Sequence, residues 1–132
     1  MTTREATCSC GQLVLTCEGE PVRVSMCHCL ECQRRTGSVF GVQARFPRER
    51  VTVGGRWSEF VRVGDSGGRI ALRFCPSCGS TVFWEPDGLP GFLVVAVGAF
   101  ADPGFPPPTV SVYEARRHGW IDMPALAVEH LE

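Results

Sequence analysis

Apolar and polar positions trade places every second residue over much of this chain, the period of a strand with one buried face. The segment Gln12–Cys17 shows it clearly, with Leu13, Leu15 and Cys17 on one side. Strand-like runs rich in Val, Phe and Trp are predicted at about 12–17, 22–26, 38–46, 57–63, 69–74, 81–84, 92–99 and 109–113. Fifteen glycines and ten prolines interrupt the sequence too often for long helices. Only Cys29 to Thr36 reads as a helical turn, stopped by Gly37. Gly64–Gly68 lies between two predicted strands and reads as a hairpin turn. Asp102–Pro108 reads as a stiff connector, because too little chain follows it to build another core. The expectation is a mainly β domain of several small sheets with one short helical turn.

Composition narrows this picture. The 132 residues suit one domain spanning 1–132. A hydrophobic content of 44% against 20% charged residues is ordinary for a chain with a core. A net charge of −1 and a pI of 6.3 give no broad footprint for nucleic acid. No apolar run reaches the ~18 residues of a membrane span, and Met1–Ala6 lacks the pattern of a secretory signal. A cytoplasmic protein with no membrane partner is expected. All thirteen basic residues are arginine. Without lysine there is no Schiff-base nucleophile, no Walker-type phosphate lysine and no lysine-held pyridoxal phosphate.

The chemistry lies in eight cysteines. They fall as Cys8-x-Cys10, Cys27-His28-Cys29-x-x-Cys32 and Cys75-x-x-Cys78, with Cys17 apart. Four disulfides would suit a secreted chain with a deficient core, which this sequence does not resemble. Close pairs instead suit chelation of a tetrahedral ion, with each thiolate ~2.3 Å from zinc. Seven clustered thiols divide naturally as four plus three. Structural zinc is closed by four protein ligands, whereas catalytic zinc keeps three and leaves one position open. Cys27, Cys29 and Cys32 can supply three ligands from one segment. Cys8 and Cys10 would then meet Cys75 and Cys78 across the fold, giving two Zn2+ per chain. The alternative of a closed site using His28 requires adjacent His28 and Cys29 to face one ion, a difficult geometry. Cys17 reads as a buried strand residue.

The order of motifs resembles one family. Cys8-x-Cys10-Gly11, Cys27-His-Cys-x-x-Cys-Gln-Arg-Arg-Thr-Gly-Ser38, Phe74-Cys-Pro-x-Cys-Gly-Ser80 and Val97-Gly-Ala-Phe-Ala-Asp-Pro103 are similar to the glutathione-dependent formaldehyde-activating enzyme family, the centromere protein V/GFA domain. The resemblance runs from about Cys8 to Pro124. It implies a zinc-stabilised β-tent of coiled antiparallel sheets. It also implies structural zinc on Cys8, Cys10, Cys75 and Cys78, and a second zinc on Cys27, Cys29 and Cys32. The implied activity is that of a carbon–sulfur lyase, joining glutathione and formaldehyde as S-hydroxymethylglutathione.

Other residues take expected places around that chemistry. Arg34 and Arg35 follow Cys32 and can bind substrate carboxylates, or simply form a solvated helical face. His28 can move a proton or fix the loop by a hydrogen bond. His118 can line a pocket, while His130 belongs to a polar tail. Trp57, Trp84 and Trp120 read as core or pocket wall. Exposed strand edges make a homodimer a further expectation. A non-catalytic zinc-stabilised binding module, using arginines and aromatics, is the alternative to an enzyme. A third reading is a redox switch at the triad.

Overall fold

The computed structural model describes residues 1–64, 67–123, 126 and 128–132. Among these described residues eleven strands form two sheets. Strands β1 (Thr3–Thr7), β2 (Val14–Glu18) and β5 (Val51–Gly54) make a small antiparallel sheet with β2 at its centre. The larger sheet holds β3 (Arg23–Cys27), β4 (Gly41–Pro47), β6 (Ser58–Val63), β7 (Arg69–Phe74), β8 (Thr81–Pro86), β9 (Phe92–Ala96), β10 (Val110–Val112) and β11 (Glu129–His130). Its order is β11-β10-β3-β4-β9-β8-β7-β6. One helix, α1, spans Leu30–Thr36.

Alternation along the strands sorts the large sheet into two faces. Val24, Ala44, Val95 and Phe83 stand side by side on successive strands. They join Ala6, Leu13, Leu15 and Cys17 from the small-sheet side in one buried cluster. The main core therefore lies between the two sheets. One residue along, Arg23, Arg45, Val94, Trp84, Leu72 and Phe60 form a second continuous row on the same strands. Because successive side chains point to opposite faces, this row lies on the far side of the sheet. Leu72, Trp84, Val94 and Ala96 pack there as a second buried cluster.

Several elements depart from the sequence expectation. β1 was not predicted, because the stretch Thr-Arg-Glu-Ala-Thr carries one core residue, Ala6, and owes its structure to pairing with β2. Strand β5 likewise exists by pairing with β2. The predicted strand at 38–46 begins at Gly41. The run at 92–99 leaves the sheet after Ala96 and tightens into a 3-10 turn over Val97–Phe100. The strand pairings are antiparallel as expected, except that β10 runs parallel to both β3 and β11. The Pro-rich connector delivers the chain beside β3, where Thr109 N–H donates to Val24 O at 3.0 Å. In the expected hairpin turn, Gly64 N–H donates to Gly68 O at 2.8 Å; Asp65 and Ser66 lie outside the described residues, as does Pro124. Among the described residues no helix is long and apolar enough to cross a membrane.

Candidate metal centres

The two sheets bring the distant cysteine pairs together. Cys8 and Cys10 follow β1, and Cys75 and Cys78 follow β7, where a bulge between Arg73 and Phe74 bends the strand end. Gly79, at φ 81°, closes the knuckle by donating its N–H to Cys75 O at 2.8 Å. The four sulfurs lie within 4.8 Å of one another. Cys8 Sγ is 3.6 Å from Cys10 Sγ, which is 3.7 Å from Cys75 Sγ. Sulfurs ~2.3 Å from a shared tetrahedral ion would be about 3.8 Å apart, so this donor set fits zinc.

Hydrogen bonds prepare Cys75 and Cys78 to carry negative charge, whereas at Cys10 the Gln12 backbone N–H is outweighed by neighbouring thiols and burial, which bring that thiol to about 11. Leu13 N–H points at Cys8 Sγ and Ser77 N–H at Cys75 Sγ, each at 3.3 Å. Gln12 is the residue that sequence reasoning missed. Its side-chain amide donates to Cys75 Sγ at 3.0 Å and to Arg56 O at 2.7 Å, while its Oε1 accepts from Arg56 N–H at 2.9 Å. Burial would raise Cys75, but Gln12 and the nearby backbone N–H groups outweigh it and bring the thiol to about 7. Contacts from Ser80, through its side chain and then its backbone, bring Cys78 to about 5. No spacing rule points to Gln12. The visible signal was only a polar residue at the head of an alternating strand.

The second cluster is local. Cys27 ends β3, Cys29 caps α1 by accepting from Cys32 N–H at 3.3 Å, and Cys32 sits buried in the first helical turn. Their sulfurs also lie within 4.8 Å of one another. Three thiols this close cannot all ionise unaided. Hydrogen bonds from Cys27 and then Cys32 pull Cys29 down to about 2, while the contact with Cys29 drives Cys27 far up. A cation bound to all three sulfurs removes the conflict, so this donor set fits a metal as well. Cys17 stands apart, and burial pushes its thiol up to about 12.

His28 does not join the three sulfurs. The residue is 1% exposed and its Nε2 lies 3.0 Å from Ser111 Oγ, which donates to Glu114 Oε2 at 2.8 Å. Since that hydroxyl proton is committed to Glu114, Nε2 is the donor to Ser111. His130 Nδ1 lies 2.8 Å from the same Glu114 oxygen, so it belongs to β11 and this network instead of a disengaged tail. Burial lowers the His28 ring below its ordinary value. Gln33 ties the loop further, donating to His28 O at 2.9 Å and to Arg116 O at 3.2 Å. His118 reaches Gln33 Oε1 at 3.0 Å on the exposed side.

Cys27, Cys29 and Cys32 open onto a cavity of about 980 Å³, whereas none of the four-cysteine cluster lines it. Its floor is the second face of the large sheet, with Leu72, Trp84 and Val94 at the base. Seven of the thirteen arginines line it: Arg34 and Arg35 from α1, Arg23 and Arg45 from β3 and β4, Arg62 and Arg69 from β6 and β7, and Arg116 after β10. Glu31 is the one carboxylate among the described lining residues, and it pairs with Arg34 at 2.6 Å. Outside the cavity, Arg4, Arg48 and Arg73 pair with Glu20, Glu85 and Glu59. Among the described residues, a chain of net charge −1 has thus lined the cavity of the triad with six arginines that make no ion pair. Trp84 lines the cavity as expected, but Trp57 and Trp120 are 44% and 72% exposed and belong to neither core nor cavity.

Fold and thiol clusters define a mainly β domain with two potential metal centres, one of them facing a cavity. The sequence matches the family described as glutathione-dependent formaldehyde-activating enzyme over residues 3–116, and the chain belongs to that family. No curated protein matches it. The crystal structure of a Rhodobacter sphaeroides protein, a Northeast Structural Genomics target, shares the fold at a TM-score of 0.55. It is 21% identical, and the match covers 78% of this chain and 91% of that one.

Proposed function

We propose that this chain is a zinc-dependent carbon–sulfur lyase acting on an adduct of an aldehyde with glutathione or another small thiol. The observation carrying this reading is that the three-cysteine cluster opens onto a large arginine-lined cavity, and the four-cysteine cluster does not. Cys8, Cys10, Cys75 and Cys78 would hold the structural zinc, joining the end of β1 to the end of β7. Cys27, Cys29 and Cys32 would hold the second. Zinc held there would supply Lewis acidity and favour the deprotonated form of a coordinating thiol.

The surrounding residues do the rest. Formation of the adduct makes a carbon–sulfur bond and moves a proton from sulfur to the former carbonyl oxygen; the lyase direction reverses both changes. Arg35, next to Cys32, offsets the excess negative charge of three thiolates. Arg34 and Arg35 can clamp substrate carboxylates through paired N–H donors. Leu72, Trp84 and Val94 wall the base of the cavity against water. His28, fixed by Ser111, holds the triad loop in position.

Zinc stoichiometry of wild type and Cys29→Ala, measured beside NMR of glutathione with formaldehyde, tests the reading. The variant should lose one zinc and all turnover while keeping its fold. Two tightly closed zinc sites with no turnover in wild type would sink it. Strongly salt-dependent oligonucleotide binding would favour the non-catalytic module instead.

A further inference from the structure

Arg23 and Arg45 are direct cross-strand partners on β3 and β4. Like charges placed opposite each other in a sheet are unfavourable, and both side chains are only partly exposed. Among the described residues neither makes an ion pair. Arg23 Nε is moreover buried with no hydrogen-bond partner. Burial, and then the charge of Arg23, push the Arg45 guanidinium below its ordinary value. Among the described residues no carboxylate compensates this arrangement. Both residues line the cavity, and the next pair toward the triad on the same face is Ser25 opposite Gln43.

We propose that Arg23 and Arg45 form an oxyanion subsite, taking a carboxylate or phosphate group of a ligand whose other end reaches Cys27, Cys29 and Cys32. Two adjacent guanidinium groups present the forked donors that match such a group. Cys27 lies four residues beyond Arg23 on β3, which corresponds to roughly 13 Å at ~3.3 Å per residue. The ligand class is therefore an elongated anion with its reactive group about 10–13 Å from a charged tail. The subsite rests on the reading above only for which end of that ligand reacts.

Calorimetric titration of the full chain with inorganic phosphate and with succinate, at fixed ionic strength, tests the subsite and separates its two chemistries. Wild type should bind at least one of them. Arg45→Gln and Arg23→Gln should each weaken that binding about 10- to 100-fold, the scale of a hydrogen bond to a charged group. Arg50→Gln, outside the cavity, should not. The ligand-free Arg45→Gln chain should melt no lower than wild type, since a like charge has been removed from beside Arg23. Absence of binding to wild type, unchanged affinity in both glutamine variants, or a lowered melting point in each would overturn the proposal. Adduct turnover is followed on the same samples. Anion binding without turnover removes the lyase reading and leaves the subsite; turnover with no effect of either variant on binding or KM removes the subsite alone.

Discussion

The guanidinium carbon of Arg35 lies 4.3 Å from the centroid of the Trp84 ring, so the helix carrying Cys32 is clasped to the sheet face that floors the cavity. Arg35 is partly exposed, and its Nη2 is buried without a hydrogen-bond partner. One contact thus links the thiol triad, the helix and the cavity floor.

Arg35→Leu should leave stability within about 1 kcal/mol, because a lost cation–π contact of ~0.5–2 kcal/mol is set against relief of an unpartnered buried donor. Turnover should fall at least tenfold. Arg35→Lys should recover only part of it, since an ammonium cannot lie flat on the indole. Steady-state kinetics and urea unfolding together check both halves.

Gly41 gives a gentler probe of the same contact. A Cβ at this position would sit 2.6 Å from Arg35 Nη2 and 3.7 Å from Cys32 Cβ. The arginine end can swing away, so Gly41→Ala should cost less than about 1.5 kcal/mol. It should still shift the Trp84 fluorescence and raise KM. An unchanged spectrum would show that Arg35 does not rest on Trp84 in solution.

Gln12→Ala removes three hydrogen bonds that join Cys75 to the backbone of Arg56. At ~1 kcal/mol each, the loss is about 2–3 kcal/mol. Melting should drop by several degrees, and zinc should leave the four-cysteine cluster faster when a chelator is added. Cavity binding should be untouched.

Stepwise metal removal should separate the two centres. With both clusters loaded with zinc as proposed, a competing chelator should first withdraw the metal facing the cavity, with the β circular dichroism retained. The second zinc should come out together with that signal, because its ligands join β1 to β7 and metal binding is then folding free energy. Simultaneous loss of both metals and of structure would contradict the division of labour.

Acid should act partly through Glu114. Burial raises its carboxyl, but hydrogen bonds from His130 and Ser111 outweigh this and leave it below its ordinary 4.5. A lowered folded value means that its contribution is complete above about 4.5 and is lost as pH falls through the folded pKa. Glu114→Gln should therefore flatten the stability profile below about 4.5 relative to wild type, as read by unfolding at a series of pH values.

The two thiol clusters were legible in the sequence because donor sets able to chelate one ion have short spacings that no ordinary core requires. Leu13, Leu15 and Cys17 announced β2 through their period of two. β1 and β5 were hidden, since their structure comes from long-range pairing to β2. The arginines of the cavity were equally hidden. Arg34 and Arg35 could be nominated as neighbours of Cys32, but Arg23 and Arg45 meet only through the register of β3 with β4. Gln12 reaches Cys75 across 63 positions of sequence, a contact that spacing does not encode.

Odd-numbered residues 23, 25, 27, 43 and 45 face the cavity, whereas Val24 and Ala44, between them, face the core. Substitutions at the first set can retune what the cavity accepts without leaving a void under the sheet. Substitutions at the second can alter stability without repainting the cavity. A shift of one residue in β3 would exchange its two faces, placing Arg23 and the Cys27 thiol in the core. Recognition on this scaffold is open to gradual change, but an insertion or deletion inside its central strands is not.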